Sequence, residues 1–392
     1  MTQLRFLTSG ESHGPALVAI LEGLPAGLAL SPADLAPDLL RRQTGYGSGP
    51  RMKIEHDTAQ ILGGVMAGHT TGAPISLLIP NLDHAKWQGQ AVEPMTIPRP
   101  GHADLTAAVK YGYGDLRLGL ERASARETAA RVAVGAICRK LLLEFRVTVG
   151  SYVSEIGNVI ADLSALTVAE RIQRAEASEV RCPTEAGTES MRAAIRAAME
   201  AKDTLGGVFE VVALNVPPGL GSHVHWDRRL TAQLAAAIMS IHAIKGVEIG
   251  EAFANAQKTG TQVHDEIRID LRTHTLSRST NRAGGIEGGI TTGEPLLIRA
   301  AMKPISTTLN PLQSVDLATG QPAPIHYERS DFCAVPRAAI VGEAMVCLAL
   351  ADALLQKLGG DSLAEIKPRF DSLRRTRLED LLMTNTPTVF WP

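Results

Sequence analysis

The stretch RASARETAARVAVGAICRKLLLEF, residues 122–145, decides how the chain is read. Its apolar residues recur at helical spacing, which predicts a long helix packed along one face. Ser124 followed three positions later by Glu127 has the pattern of a capping box, placing the helix start at Ser124 with Arg122 and Arg126 beside it. Segments 187–202 and 335–357 carry the same periodicity. By contrast 75–80, 147–156, 207–216, 263–271 and 295–302 are β-branched or alternating and read as strands. Helices and strands are therefore mixed, and no period of 20–50 residues marks a solenoid.

Around these elements the composition sets limits. The 392 residues are 45% apolar and 20% charged, enough to bury a sizeable core, which excludes a disordered chain. Lys and Arg total 39 against 41 Asp and Glu, a formal charge of −2, so the chain lacks the bulk positive field of a nonspecific nucleic-acid binder. Any anion site must be local. The 36 Gly and 22 Pro are scattered through short turns and mark no linker. Length alone allows two domains or one duplicated unit. Cys138, Cys182, Cys333 and Cys347 form no CxxC pair, and unpaired thiols agree with a reducing compartment. With no signal-peptide pattern and no spanning segment, the expectation is a cytoplasmic protein without membrane or nucleic-acid partners.

Two readings of the Ser124 segment stand. Unpaired amides and the helix dipole, flanked by two guanidinium groups, suit a phosphate or carboxylate; the same residues also make a well-capped surface helix with solvated arginines. Arg41, Arg42, Arg51, Arg99 and Arg329 lie in other loop-like stretches. Gathered into one cleft they would bind a ligand with several negative charges, because guanidinium stays protonated and matches carboxylate and phosphate bidentately. His13 and His102 each sit in a polar, Gly-flanked loop, as proton-exchanging groups or as structural hydrogen-bonding ones. The His223–His225 pair lacks a supporting Cys or carboxylate motif, so no metal is expected. GxxxxGK[ST] and GxSxG are absent, and GYGSG at 45–49 neither follows a clear strand nor opens a helix.

Several blocks of the chain, in order, resemble the chorismate synthase family. GESHGPAL at 10–17, ERASARETAARVAVGA at 121–136 and ERSDFCAVP at 328–336 are similar to its three signatures. RPGHAD at 99–104, AIKGVEIG at 243–250, STNRAGGIEGG at 279–289, AMKPISTT at 301–308 and GGDSL at 359–363 match further family blocks. The resemblance implies an α+β fold, a β-α-β sandwich of helices and antiparallel sheets forming one unit over 1–392, assembled as a homotetramer. It implies a carbon–oxygen lyase acting on phosphates, which converts 5-enolpyruvylshikimate 3-phosphate to chorismate by anti-1,4-elimination with reduced FMN and no net redox change. Some members reduce the flavin with NADPH, others rely on a separate reductase. Carried over by position, the catalytic residues are His13, His102 and Asp331. The FMN residues are Arg122, Ala123, Ser124, Ala254, Asn255, Gly288, Lys303, Pro304, Ile305, Ser306, Thr307 and Arg329, and Arg42, Arg51, Arg99 and Arg126 face the substrate. The chain departs from the family at Ser48, where the Gly-rich turn usually carries arginine. Two other classes fit the residues less fully: a flavin reductase without elimination chemistry, and a non-enzymatic binder of phosphorylated metabolites.

Overall fold

The computed structural model describes residues 4–47, 57–328 and 330–391. Ser48, Arg51 and Arg329 lie outside the described residues. Helices α1 (Pro32–Gln43), α2 (Asp104–Tyr111), α3 (Arg117–Ala123) and α4 (Thr128–Leu143) precede a long helix at Val335–Leu358. One antiparallel sheet has the order Arg5–Ser9, Ala16–Glu22, Ile75–Pro80, Gln60–Gly63. The other runs Ile244–Ile249, Leu296–Met302, Gly207–Leu214, Thr148–Ile156, Val159–Ile160, also antiparallel.

The helices fill the space between the sheets. α4 packs on Ala16–Glu22 and Ile75–Pro80 of the first sheet, and the long helix packs on Thr148–Ile156 and Gly207–Leu214 of the second. The two helices meet each other in the middle, which gives the expected β-α-β sandwich. Strand Ile75–Pro80 alternates buried and half-buried residues, as a strand with one face on the core must. The long helix instead is buried nearly all round. Its most apolar window has a mean hydropathy of 2.0, yet 78% of that window is covered by protein. All four cysteines are free and buried within this core.

Three expectations change. The 122–145 helix is broken: α3 ends at Ala123, Ser124 is extended (φ −68°, ψ 141°), a 3₁₀ turn covers Ala125–Glu127, and α4 begins at Thr128. Ser124 does cap, its Oγ accepting from Arg126 N, but it caps the 3₁₀ turn. The reciprocal half of the box is missing because the Glu127 carboxylate turns away to Arg131 and the Thr8 hydroxyl, at 2.8 and 2.6 Å. The 263–271 strand shortens to Ile267–Asp270, its start taken by a short helical turn at Gly260–Val263. The first two strands and Ile244–Ile249 were not expected.

Small residues allow α4 and the long helix to touch. A Cβ added at Gly135 would stand 2.3 Å from the Ala344 Cβ and 2.5 Å from its Cα. Buried around this crossing are Val132, Val134, Ile137 and Leu141 from α4 with Ile340, Val346 and Leu350 from the long helix. Burying each such side chain fully contributes roughly 1.5–3 kcal/mol. Next to Ala344, Glu343 is fully buried and accepts from Arg41 (2.8 Å through two nitrogens), Arg139 (2.5 Å), Arg181 (3.3 Å) and the Ser151 hydroxyl (2.5 Å). Burial pushes this carboxyl up, and the arginines outweigh burial, bringing it to about 2.

Gly135→Ala is expected to destabilise the protein by about 1–3 kcal/mol, overpacking outweighing the gain in helix propensity. Urea unfolding measures this, and an unchanged midpoint would mean that the helices separate at no cost. The Glu343 contribution is complete above the ordinary carboxylate value of 4.5 and is lost as pH falls toward 2. Glu343→Gln should therefore flatten that part of the acid limb of the stability curve and cost ~3–5 kcal/mol at neutral pH by leaving buried arginines uncompensated.

Candidate active site

The loop joining the first two strands carries His13. Gly10 opens it at φ +108°, where an added Cβ would come 2.4 Å from the Ala16 carbonyl oxygen, so the tight reversal requires glycine. Asn81 Nδ2 donates to the carbonyls of Ser12 (3.0 Å) and Gly14 (2.7 Å), fixing the loop from the far strand. From α3, Glu121 reaches His13 twice, through Nδ1 at 2.6 Å and the backbone N–H at 2.8 Å. The imidazole lies against Trp87, ring centroids 4.3 Å apart.

His102 stands just before α2. Its Nδ1 meets Asp104 at 2.5 Å. Arg99 donates Nε and Nη2 to the same carboxylate at 2.8 and 3.0 Å and Nη1 to Thr307 Oγ1 at 3.2 Å. Asp104 is fully buried. Burial raises its carboxyl, but hydrogen bonds from His102 and Arg99 prevail and hold it well below the usual range. Lys303 Nζ donates to the Gly101 carbonyl at 3.0 Å, so the 303–307 segment lies on the His102 loop. Burial and Lys245 lower the Lys303 ammonium from its ordinary value.

Between α3 and α4 the Ser124 segment touches both sides. Arg122 donates to the Thr8 carbonyl (2.9 Å) and hydroxyl (2.8 Å), and Ser124 Oγ donates to Ser12 Oγ (3.1 Å). Arg126 and Arg42 converge on one buried carboxylate, Asp57, at 2.5 and 3.2 Å. Arg42, Arg99 and Arg126 are thus buried against carboxylates, whereas Arg122 is exposed and Arg41 is held by Glu343, Asp38 and Glu176. Asp331 pairs with Arg337 at 2.5 Å, and its neighbours tie it to the site. Ser330 Oγ donates to the Thr307 carbonyl and Phe332 N to the Gly47 carbonyl, both at 3.0 Å.

A cavity of about 390 Å³ opens beside Arg122, lined also by Phe6, Thr8, Glu127, Arg131 and His242. His242 was missed in the sequence, though it directly precedes the AIKGVEIG block. Its Nδ1 is buried with no partner among the described residues. Burial, with Arg131, His102 and Arg122, keeps this imidazole below its ordinary value against the pull of Glu127. His242 shares the cavity wall with Arg122. Two guanidinium groups and an orphaned ring nitrogen suit an anionic, hydrogen-bonding ligand.

Glu121, Asp104 and Asp57 were also missed; only Asp104 had a local signal, its His-x-Asp spacing from His102. Ala254 and Asn255 sit at Ala252–Asn255, where the Asn255 amide donates to the Arg282 carbonyl at 3.1 Å. Gly288, at φ +58°, occupies the Ile286–Thr291 hairpin, whose Gly289 and Ile290 contact Arg229 and Gly221. The described contacts of these three residues do not reach Arg122–Ser124. His225 holds Asp227 through Nδ1 at 2.6 Å on the surface.

Comparison with known proteins bears on the whole chain. The chorismate synthase family model matches residues 4–355. The chorismate synthase of Aquifex aeolicus (strain VF5) is 52% identical over 385 residues, covering 94% of this chain and 96% of that protein. That of Trichlorobacter lovleyi is 53% identical over 385 residues, covering 94% and 98%. A crystal structure of chorismate synthase superposes with a TM-score of 0.78 at 46% identity, covering 95% of this chain and 97% of the other. Sequence and fold agree over nearly all of the chain, which belongs to the chorismate synthase family.

Proposed function

We propose that this protein eliminates phosphate from 5-enolpyruvylshikimate 3-phosphate to form chorismate, with reduced FMN and no net redox change. The observation that supports the reading is the two His–carboxylate pairs, His13–Glu121 on a loop tied to Ser124 and His102–Asp104 on a loop tied to the 303–307 segment, with arginines held nearby by buried acids. Family membership supplies the chemistry and a general requirement for reduced flavin. The reading extends to one domain over 1–392, a cytoplasmic homotetramer, and NADPH or an outside reductase as the electron source.

The substrate carries two carboxylates and a phosphate, which Arg42, Arg99 and Arg126 are placed to attract. Because Asp57 and Asp104 already orient these guanidinium groups, little side-chain freedom is lost on binding. His13 and His102 hold or move protons, one toward departing phosphate and one toward the cofactor, and Asp331 would assist the bound cofactor where the ring hydrogen is removed. Arg122, Ala123, Ser124 and the 303–307 segment would hold the flavin, with the His242 cavity beside them. Reduced FMN, when bound, supplies electron density to the substrate ring and recovers it. The chain's task is orientation, charge stabilisation and exclusion of water.

Under anaerobic conditions, purified protein with this substrate and chemically reduced FMN should form chorismate, and oxidised FMN should not support it. Chorismate formed at an undiminished rate by flavin-free protein would falsify the reading. His102→Ala and Asp331→Asn should each lower kcat by roughly 10²–10⁴-fold, the usual contribution of a positioned acid or base, with FMN affinity largely kept. Rapid-mixing kinetics separate the two. Turnover within a few-fold of the parent, accompanied by collapsed substrate affinity, would reduce these residues to ligand holders.

A further inference from the structure

We propose that Glu121 is the positioning residue for His13, fixing which ring nitrogen is turned to the reactants. This rests on the reading of His13 as a proton-transfer group. The carboxylate accepts from the His13 backbone N–H at 2.8 Å with Oε2 and meets Nδ1 at 2.6 Å with Oε1, so a single side chain sets both the main chain and the ring. A carboxylate has no proton to give, and an unprotonated Nδ1 at that distance would set two lone pairs against each other. Nδ1 therefore carries the hydrogen, and Nε2 is the nitrogen left to exchange a proton.

Other contacts remove the remaining freedom. Trp87 packs against the ring with the two planes tilted by 44°, and His84 Nδ1 is 3.0 Å from the His13 carbonyl oxygen. Both side chains of the pair are 15% exposed. Burial raises the Glu121 carboxyl, but the His13 hydrogen bonds outweigh it and keep the group ionised.

The two histidine pairs differ in one respect. Asp104 is shared between His102 and a bidentate Arg99, whereas the carboxylate of Glu121 has hydrogen bonds from His13 alone among the described residues, with Arg117 acting at longer range. Among the described residues, charged groups on the elements against His13 include Glu11 on its own loop and Asp83, His84 and Lys86 on the facing turn, where Lys86 holds Asp83 at 2.6 Å. With His102, removing the acid would also release an arginine. With His13 the acid can be tested on its own.

The test compares the full-length parent, Glu121→Gln and Glu121→Ala. Ring ¹⁵N NMR, with the His13 signals assigned from their loss in His13→Asn, should show the Nδ1–H tautomer in the parent and in Glu121→Gln, whose amide oxygen still accepts. Glu121→Ala should shift toward the Nε2–H form. Elimination assays should give Glu121→Ala a kcat lower by about 10–10²-fold with KM within about threefold, the signature of a misplaced catalytic group. Glu121→Gln should recover most of it. An unchanged tautomer in Glu121→Ala, or a kcat equal to the parent's, overturns the proposal. If the parent itself makes no chorismate while the tautomer moves as stated, the positioning of His13 stands and the functional reading falls.

Discussion

The close approach of α4 to the long helix, permitted by Gly135 against Ala344, is the constraint from which the rest of the molecule follows. Each helix opens next to residues of the proposed site. α4 starts at Thr128, two positions after Arg126, and the long helix starts at Val335, four after Asp331. Where the two helices cross therefore sets how far apart these residues stand. The sheets act on the same pair from outside: the first contributes the His13 loop, the second ends at Met302, directly before Lys303. A side chain at position 135 would disturb the site without touching it.

Buried carboxylates are the second device. Glu343 gathers Arg41, Arg139 and Arg181; Asp57 gathers Arg42 and Arg126; Asp104 gathers Arg99 and His102. An isolated buried charge is too costly to keep, so each acid exists because its cations do, and the reverse. The first cluster ties α1 and α4 to the long helix. The other two hold Arg42, Arg126 and Arg99 in fixed orientations, so that a chain of net charge −2 still presents positive groups locally.

Much of this was legible in the sequence where the signal is local. The 75–80 strand showed because alternation survives in a half-buried strand, and the 335–357 helix because its apolar run is too long for anything else. The 5–9 strand was hidden by its own pattern, since RFLTS has exposed residues at both ends and the centre. The break at Ser124 was masked by a capping pattern whose Glu127 answers to Arg131 and to Thr8, 119 positions away. His13 and His102 could be singled out from their loops, but their partners could not be read in the same way. Glu121 lies 108 residues from His13, and Asp57 meets Arg126 across 69. His242 carried no pattern at all; it matters because of the space around it.

The four buried cysteines have a consequence for a protein of this family. Burial holds the Cys333 and Cys347 thiols at about 12 and the Cys138 thiol well above its usual value, so they stay protonated. Oxidants attack the thiolate, not the thiol. Reduced flavins react with oxygen to give peroxide, so a protein that works with one operates beside its own source of damage. Cys333, two positions from Asp331, is the thiol nearest that hazard in the chain. Burial screens all four sulfurs in the folded protein, whereas unfolded chains, with every sulfur exposed, would be open to the same peroxide.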